Sequence, residues 1–255
     1  MIISAALCPA PPLLARELTG ADPVVPELRQ ACLDAATGLL QADPDVIAVV
    51  GAGEQTRAFS ARSRLDLAAY APALGLGGLE GSGLDGSGEP LPLPLGLGCR
   101  LLDQAGYAGQ VALHTVHEEA SSADCAALGA RLAATATRVA LLVMADGSAR
   151  RGLKAPGYLD ERSIPFDAQV TEAIRAGDMA ALLALDASLA RDLMATGRPA
   201  WQVLAGALDG QRPASVIRYC DDPFGVAYLV ATLSPRHEAT PTSGRDRGGD
   251  WPNRP

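Results

Sequence analysis

The sequence predicts an α/β fold: a three-layer α/β/α domain with a largely parallel or mixed central sheet. Three observations carry this prediction. Short apolar runs alternate with stretches of helical period through most of the chain. The runs at 46–50 and Val139–Met144 are apolar at every position, as strands covered on both faces are. Several runs end in glycine, proline or aspartate, which leaves turn segments where an α/β sheet holds its ligands, beyond the carboxyl ends of its strands.

Residues 2–7 form the first expected strand. Cys8-Pro9-Ala10-Pro11-Pro12 ends it, because prolines fix φ and remove backbone donors, so the segment must be extended and rigid. Pro26 opens a helix whose Leu28, Cys32, Ala35 and Leu39 share a face, and Asp43-Pro44-Asp45 breaks it. The strand 46–50 follows and stops at Gly51-Ala52-Gly53. The glycine- and proline-rich stretch 74–98 predicts a flexible surface loop leading into a helix near 96–104. The strand–helix rhythm continues on both sides of it, so it is no domain boundary. Residues 110–116 form the next strand. Ser121-Ser122-Ala123-Asp124 is a capping box for a helix with Cys125, Leu128 and Leu132 inward. The strand Val139–Met144 ends in Ala145-Asp146-Gly147-Ser148. Three helices are then expected in a row, marked by Phe166, Val170 and Ile174, by Leu182, Leu185, Leu189 and Leu193, and by Trp201, Leu204 and Leu208. Strands at 215–219 and 226–233 close a single domain, 1–233. The polar tail 234–255 has no periodicity and is expected to be disordered.

Composition bounds the function. The 255 residues carry a formal charge of -8, with 48% hydrophobic and 4% aromatic side chains. An acidic chain lacks the clustered cations that phosphate backbones require, which excludes a general nucleic-acid partner. One lysine, Lys154, among 21 basic residues reflects a GC-rich coding bias rather than a function. Cys8, Cys32, Cys99, Cys125 and Cys220 form no CxxC pair, so neither a zinc knuckle nor a redox motif is indicated, and reduced thiols are expected. No run approaches the roughly 18 apolar residues of a membrane span, and the apolar start lacks the basic region of a signal peptide. A cytoplasmic location without membrane contact is expected.

The segments beyond the expected strands hold the candidate chemistry. Gly51-Ala52-Gly53 opens a dinucleotide fingerprint, but Thr56 stands where its third glycine belongs; a tight strand-to-loop turn is the simpler account. His114 and His117 lie three apart and so face opposite sides of a strand. His117-Glu118-Glu119 either lines the site as ligands or forms a solvated loop. Ala145-Asp146-Gly147-Ser148-Ala149-Arg150-Arg151 brings a carboxylate, a hydroxyl and two guanidiniums to one edge. The arginines there either bind a carboxylate or phosphate in a fork, or pair with Asp146 to hold the loop.

Taken together, these segments resemble the class III extradiol ring-cleavage dioxygenase family of the LigB-like type, in its actinobacterial branch. The residues that carry the resemblance are Cys8-Pro9-Ala10-Pro11-Pro12-Leu13-Leu14 and Ala145 to Arg150, with Ala155-Pro156-Gly157-Tyr158, Phe166-Asp167 and Gly197-Arg198-Pro199-Ala200-Trp201. Asp222-Pro223-Phe224-Gly225-Val226-Ala227-Tyr228 is similar to the family's Pro-Tyr-Gly-Val-Gly-Tyr stretch. The matches run in order from residue 2 to residue 233. The resemblance implies a fold that holds Fe(II) with two histidines and a carboxylate, leaving positions open for a catechol and O2. At the matching positions this chain has Ala10 for the first metal histidine, Glu54 and Gln55 near the second, and Ala149 after Ser148 for the catalytic one. No cofactor is therefore expected. The leading expectation is a diverged, non-catalytic member whose pocket, near Cys8, Ala10, Glu54, Gln55, His117, Asp146, Ser148, Ala149 and Arg150, takes a small molecule or a partner. The alternatives are an enzyme, either a metal-dependent oxidoreductase or hydrolase using Glu54, Asp146 and His117 or one with a metal-free Arg/Asp/Ser site, and an unrelated α/β binding module. A homodimer is the expected assembly.

Overall fold

In the computed structural model, residues 1–20, 24–65, 67, 70 and 89–235 are described, and the chain order is β1 (Ile2–Cys8), α1 (Arg16–Thr19), α2 (Pro26–Gln41), β2 (Val46–Gly53), β3 (Arg57–Phe59), β4 (Arg64–Leu65), β5 (Pro90–Leu91), α3 (Leu93–Gln104), β6 (Gln110–His117), α4 (Ser122–Ala133), β7 (Val139–Met144), α5 (Ser163–Ala176), α6 (Met179–Leu183), α7 (Ala187–Asp192), α8 (Arg198–Ala207), β8 (Ala214–Asp221) and β9 (Tyr228–Ser234). The main sheet has seven strands in the order β3-β6-β2-β7-β1-β9-β8. Four central strands, β6, β2, β7 and β1, are parallel, while β3 and the β9–β8 hairpin run antiparallel at the two edges. The sheet is thus mixed. The expected tail beyond Pro235 and most of the glycine-rich loop 74–98 lie outside the described residues, while Ser234, expected in the tail, ends β9.

The two faces of the sheet follow from the period of two along each strand. Ala6, Cys8, Ile47, Val49, Ala140, Leu142 and Met144 point to one side and pack against α2 and α3. Ala5, Leu7, Val46, Ala48, Val50, Val139, Leu141 and Val143 point to the other, against α4, α5, α6 and α8. All six side chains of β7 are buried, which is why that run shows no polar alternation. Leu28, Cys32, Ala35 and Leu39 are the buried stripe of α2. Ser121 caps α4, its hydroxyl oxygen accepting the Asp124 N–H at 3.1 Å. No helix among the described residues is long and apolar enough to cross a membrane.

Four expectations need correction. The α3 helix begins at Leu93, not near residue 96, because Pro92 stands at its cap and Pro94 within its first turn, where a missing N–H is harmless. Gly51-Ala52-Gly53 is not a turn but the end of β2. Gly51 faces Pro94, which would lie 2.5 Å from an added Cβ, and Gly53 faces Thr115 at 2.9 Å. These glycines lie within the strand and serve close packing. The leucine stripe 182–193 is two short helices, since Asp178 caps α6 and Asp186 caps α7 through the Ser188 and Leu189 N–H groups. The final strand begins at Tyr228, two residues late, because Ala227 bonds instead to the loop after β7.

The helices α4 and α8 meet through glycine. A Cβ on Gly129 would lie 2.1 Å from the Val203 carbonyl oxygen, and one on Gly206 2.3 Å from Ala126 Cα. Gly129→Ala should therefore destabilise the protein by about 1–3 kcal/mol through overpacking, read as a lower urea midpoint at unchanged slope. Gly38→Ala on α2, where an added Cβ meets nothing within 4 Å, should instead stabilise by about 0.5–1 kcal/mol through helix propensity.

Candidate functional site

The chain leaves β1 and β2 toward the α2–α3 face and leaves β6 and β7 toward the opposite face. Since β7 lies between β1 and β2, the sheet opens a crevice at the carboxyl end of β7, the place where such sheets bind ligands. The segment that follows β7 is fastened along both sides. Ala145 N–H donates to the Cys8 carbonyl at 2.8 Å, Gly147 N–H to Ala227 O at 2.8 Å, and Arg151 N–H to Gly225 O at 3.0 Å. Gly197 N–H donates to Asp146 O at 2.9 Å, and Ala149 N–H to Leu193 O at 3.0 Å. Few backbone groups are left to water, so this loop presents its side chains from a rigid frame.

Asp146 is partly buried, and its Oδ1 accepts the Ala10 N–H at 2.8 Å. Burial raises its carboxyl pKa to about 6, with the Ala10 hydrogen bond pulling in the opposite direction. Burial and then the Asp146 charge push up the phenols of Tyr228 and Tyr70, so both rings sit within its field. Cys8 does not face the crevice. Its thiol is fully buried beneath α2, 3.9 Å from the Cys32 carbonyl oxygen. All five cysteines are unpaired.

Ser148 is buried, its N–H donating to Asp167 Oδ1 at 3.0 Å and its hydroxyl to Asp167 Oδ2 at 2.5 Å. Arg151 Nε donates to Asp222 Oδ2 at 2.7 Å, and its Nη1 lies 3.8 Å from Asp167 Oδ2. Burial raises the Asp167 carboxyl above its usual range, while Ser148 and Arg151 pull it back. Arg150 spends its Nη1 on the Gly157 carbonyl at 2.6 Å. The loop is therefore not held by an ion pair between Asp146 and the arginines: Asp146 takes an amide, and Arg151 takes Asp222. A cleft of about 360 Å³ opens beside this network, between Gly147, Asp167, Trp201, Asp222 and Ala227, and the Trp201 indole N–H is buried without a partner.

The remaining expected residues do not converge. Glu54 and Gln55 are exposed in the turn after β2, where the Gln55 carbonyl accepts the Thr115 hydroxyl at 2.6 Å. His117 is partly buried, and its Nδ1 accepts the Glu119 N–H at 3.1 Å, turning the ring onto its own loop. Gly53 pairs with His117, and Gly51 with both Thr115 and Met144. His117 and Asp146 thus stand at one level but two strands apart, about 10 Å. Among the described residues, no group of three or more His, Cys, Asp or Glu is placed to hold a metal ion, so Glu54, Asp146 and His117 do not form a common site. His114 lies on the opposite face from His117, and burial lowers its pKa. Asp167, Asp222, Tyr228 and Trp201, which the sequence offers only as carriers of the resemblance, are further residues of this site. Asp167 follows the buried Phe166 on α5, so the sequence marks it both by the resemblance and as a carboxylate beside a core residue.

The Asp146 carboxyl titrates higher in the folded chain than in the unfolded one, so its contribution to stability is present below pH 4 and is lost as pH rises through 6. Asp146→Asn keeps an acceptor for Ala10 and removes the charge. The variant should match the parent near pH 4 and exceed its stability above pH 7 by on the order of 2–3 kcal/mol, read as melting temperature against pH. A difference independent of pH would contradict the burial of this charge.

No family model matches the chain, and no curated protein matches it. Among solved structures it is similar to uncharacterized protein JW3007 from Escherichia coli K12, at 14% identity, with a TM-score of 0.51, over 91% of this chain and 99% of that one. A likeness at this identity shows a shared α/β fold.

Proposed function

We propose that this chain is a diverged member of the extradiol dioxygenase-like fold, one that binds a small molecule in the crevice at the carboxyl end of β7 without using iron. The observation that carries the reading is the 2.8 Å hydrogen bond from Ala10 N–H to Asp146 Oδ1. In the resembled family that turn presents a metal histidine; here a methyl group stands in its place and the backbone amide engages the neighbouring carboxylate. The residues at the matching positions do not fit Fe(II). Ala10 and Ala149 are buried and have no donor atom, and Glu54 and Gln55 are exposed. What this edge offers instead is a carboxyl with a pKa near neutrality at Asp146 and the Tyr228 phenol, which its charge acts on, a pair suited to hydrogen-bonding a small polar ring.

Iron reconstitution tests this reading. After incubation with Fe(II) and desalting, the protein should retain well below one equivalent of iron and should yield no yellow ring-cleavage product from catechol. Calorimetry should still register catechol binding that weakens in Asp146→Asn. Stoichiometric iron that is lost in Glu54→Gln would overturn the proposal. The Asp146 carboxyl, pushed up to about 6, favours one second reading, a metal-free acid–base hydrolase. Under that reading p-nitrophenyl esters should turn over with a rate that follows an ionisation near pH 6 and vanishes in Asp146→Asn.

A further inference from the structure

A buried arginine with no carboxylate within ion-pair distance among the described residues marks a second pocket. Arg198 opens α8 and is 2% exposed. Its Nη1 donates to Gln202 Oε1 at 2.7 Å and its Nη2 to the Glu118 carbonyl oxygen at 2.6 Å. Both acceptors are neutral. Gln202 cannot turn away, because its Nε2 donates to the Leu183 carbonyl at 3.0 Å. The neighbouring carboxylate, Glu119, is exposed and pairs with Arg191 at 3.0 Å. Among the described residues, no Asp or Glu lies within ion-pair distance of Arg198. A guanidinium carries five N–H donors, and two are engaged here. A desolvated charge compensated only by neutral groups is strongly unfavourable unless an anion completes it.

The surroundings indicate which anion. Arg198 lines a pocket of about 410 Å³ whose walls include Ala187, Ala190, Met194 and Ala195, with Ser188 and Thr196 as hydroxyl donors. The start of α8 has no side-chain cap, and its partial positive charge adds to that of the guanidinium. Glu118 and Glu119 stand at the same pocket and repel a multiply charged group. Arg191, which also lines the pocket, is paired with Glu119, so among the described residues Arg198 is the guanidinium there without an ion pair, and the apolar walls favour a singly charged anion with an apolar body.

We infer that the Arg198 pocket binds a small organic monocarboxylate, whose carboxylate pairs with the free N–H groups of Arg198 while its apolar body lies against Ala187, Ala190 and Met194.

Titration calorimetry of the full chain with sodium benzoate tests it, with benzamide as the neutral counterpart and inorganic phosphate as the competing anion. Benzoate should bind at least ten-fold more tightly than either, and Arg198→Met, checked for fold by circular dichroism, should lose ten-fold or more, as expected for a charge-assisted fork. Thr196 is exposed at the pocket, so Thr196→Trp should block entry without disturbing the core, and it decides the matter if Arg198→Met does not fold. Equal binding of benzoate and benzamide, tighter binding of phosphate, no binding of benzoate, or unchanged benzoate affinity in the folded variants would each overturn the inference.

Discussion

Everything at the carboxyl edge depends on the complete burial of β7. A strand with six buried side chains must have partners on both edges and cover on both faces. It obtains the edges from β1 and β2, and the cover from α2 and α3 on one side and α4 and α8 on the other. That central position fixes where the chain must emerge, between two strands whose own connections leave in the other direction. The crevice is thus a consequence of topology. Its rigidity is a separate matter and comes from the hydrogen bonds that tie residues 145–151 to residues 225–227 and 193–197.

Three ionisable groups behind this edge are desolvated, and each is compensated differently. Asp167 receives two hydrogen bonds from Ser148 and the charge of Arg151, which in turn holds Asp222. Such a chain of partners welds the loop to α5 and to the β8–β9 connection, and it reads as architecture. Asp146 receives one backbone amide and keeps a carboxyl poised near neutrality. Arg198 receives only neutral acceptors. Incompleteness rises along this series, and with it the expectation of a ligand, because an unmet buried charge costs far more than a met one.

The fold was legible in the sequence to the extent that burial writes a pattern. Both central strands without polar residues, the α2 stripe and the Ser121 cap could be read directly, since each depends on neighbours within a few positions. Gly51 and Gly53 were misleading because their reason lies in Pro94 and Thr115, distant in sequence. The leucine stripe 182–193 misled because two aspartate caps can divide what periodicity joins. In the site, the loop 145–151 was recognisable from its place after a buried strand. Its partners were not, because Asp167, Asp222 and Gly197 reach it only through the folded sheet.

On the proposed reading, the alanine at position 10 closes a metal site without loss of the surrounding fold. A histidine presented by a turn to a metal needs that turn held in place, and here Asp146 holds it by accepting the Ala10 amide. The bond uses the backbone of residue 10, so it is indifferent to the side chain there. Ala149, for its part, is pinned by its own backbone to Leu193 and Gly157. On that reading, alanine at both positions removes side-chain donor atoms and leaves a frame held by main-chain bonds. Such a frame is indifferent to the side chains it carries, and it holds the partly buried Asp146 carboxyl, whose charge acts on Tyr228, at the carboxyl end of β7.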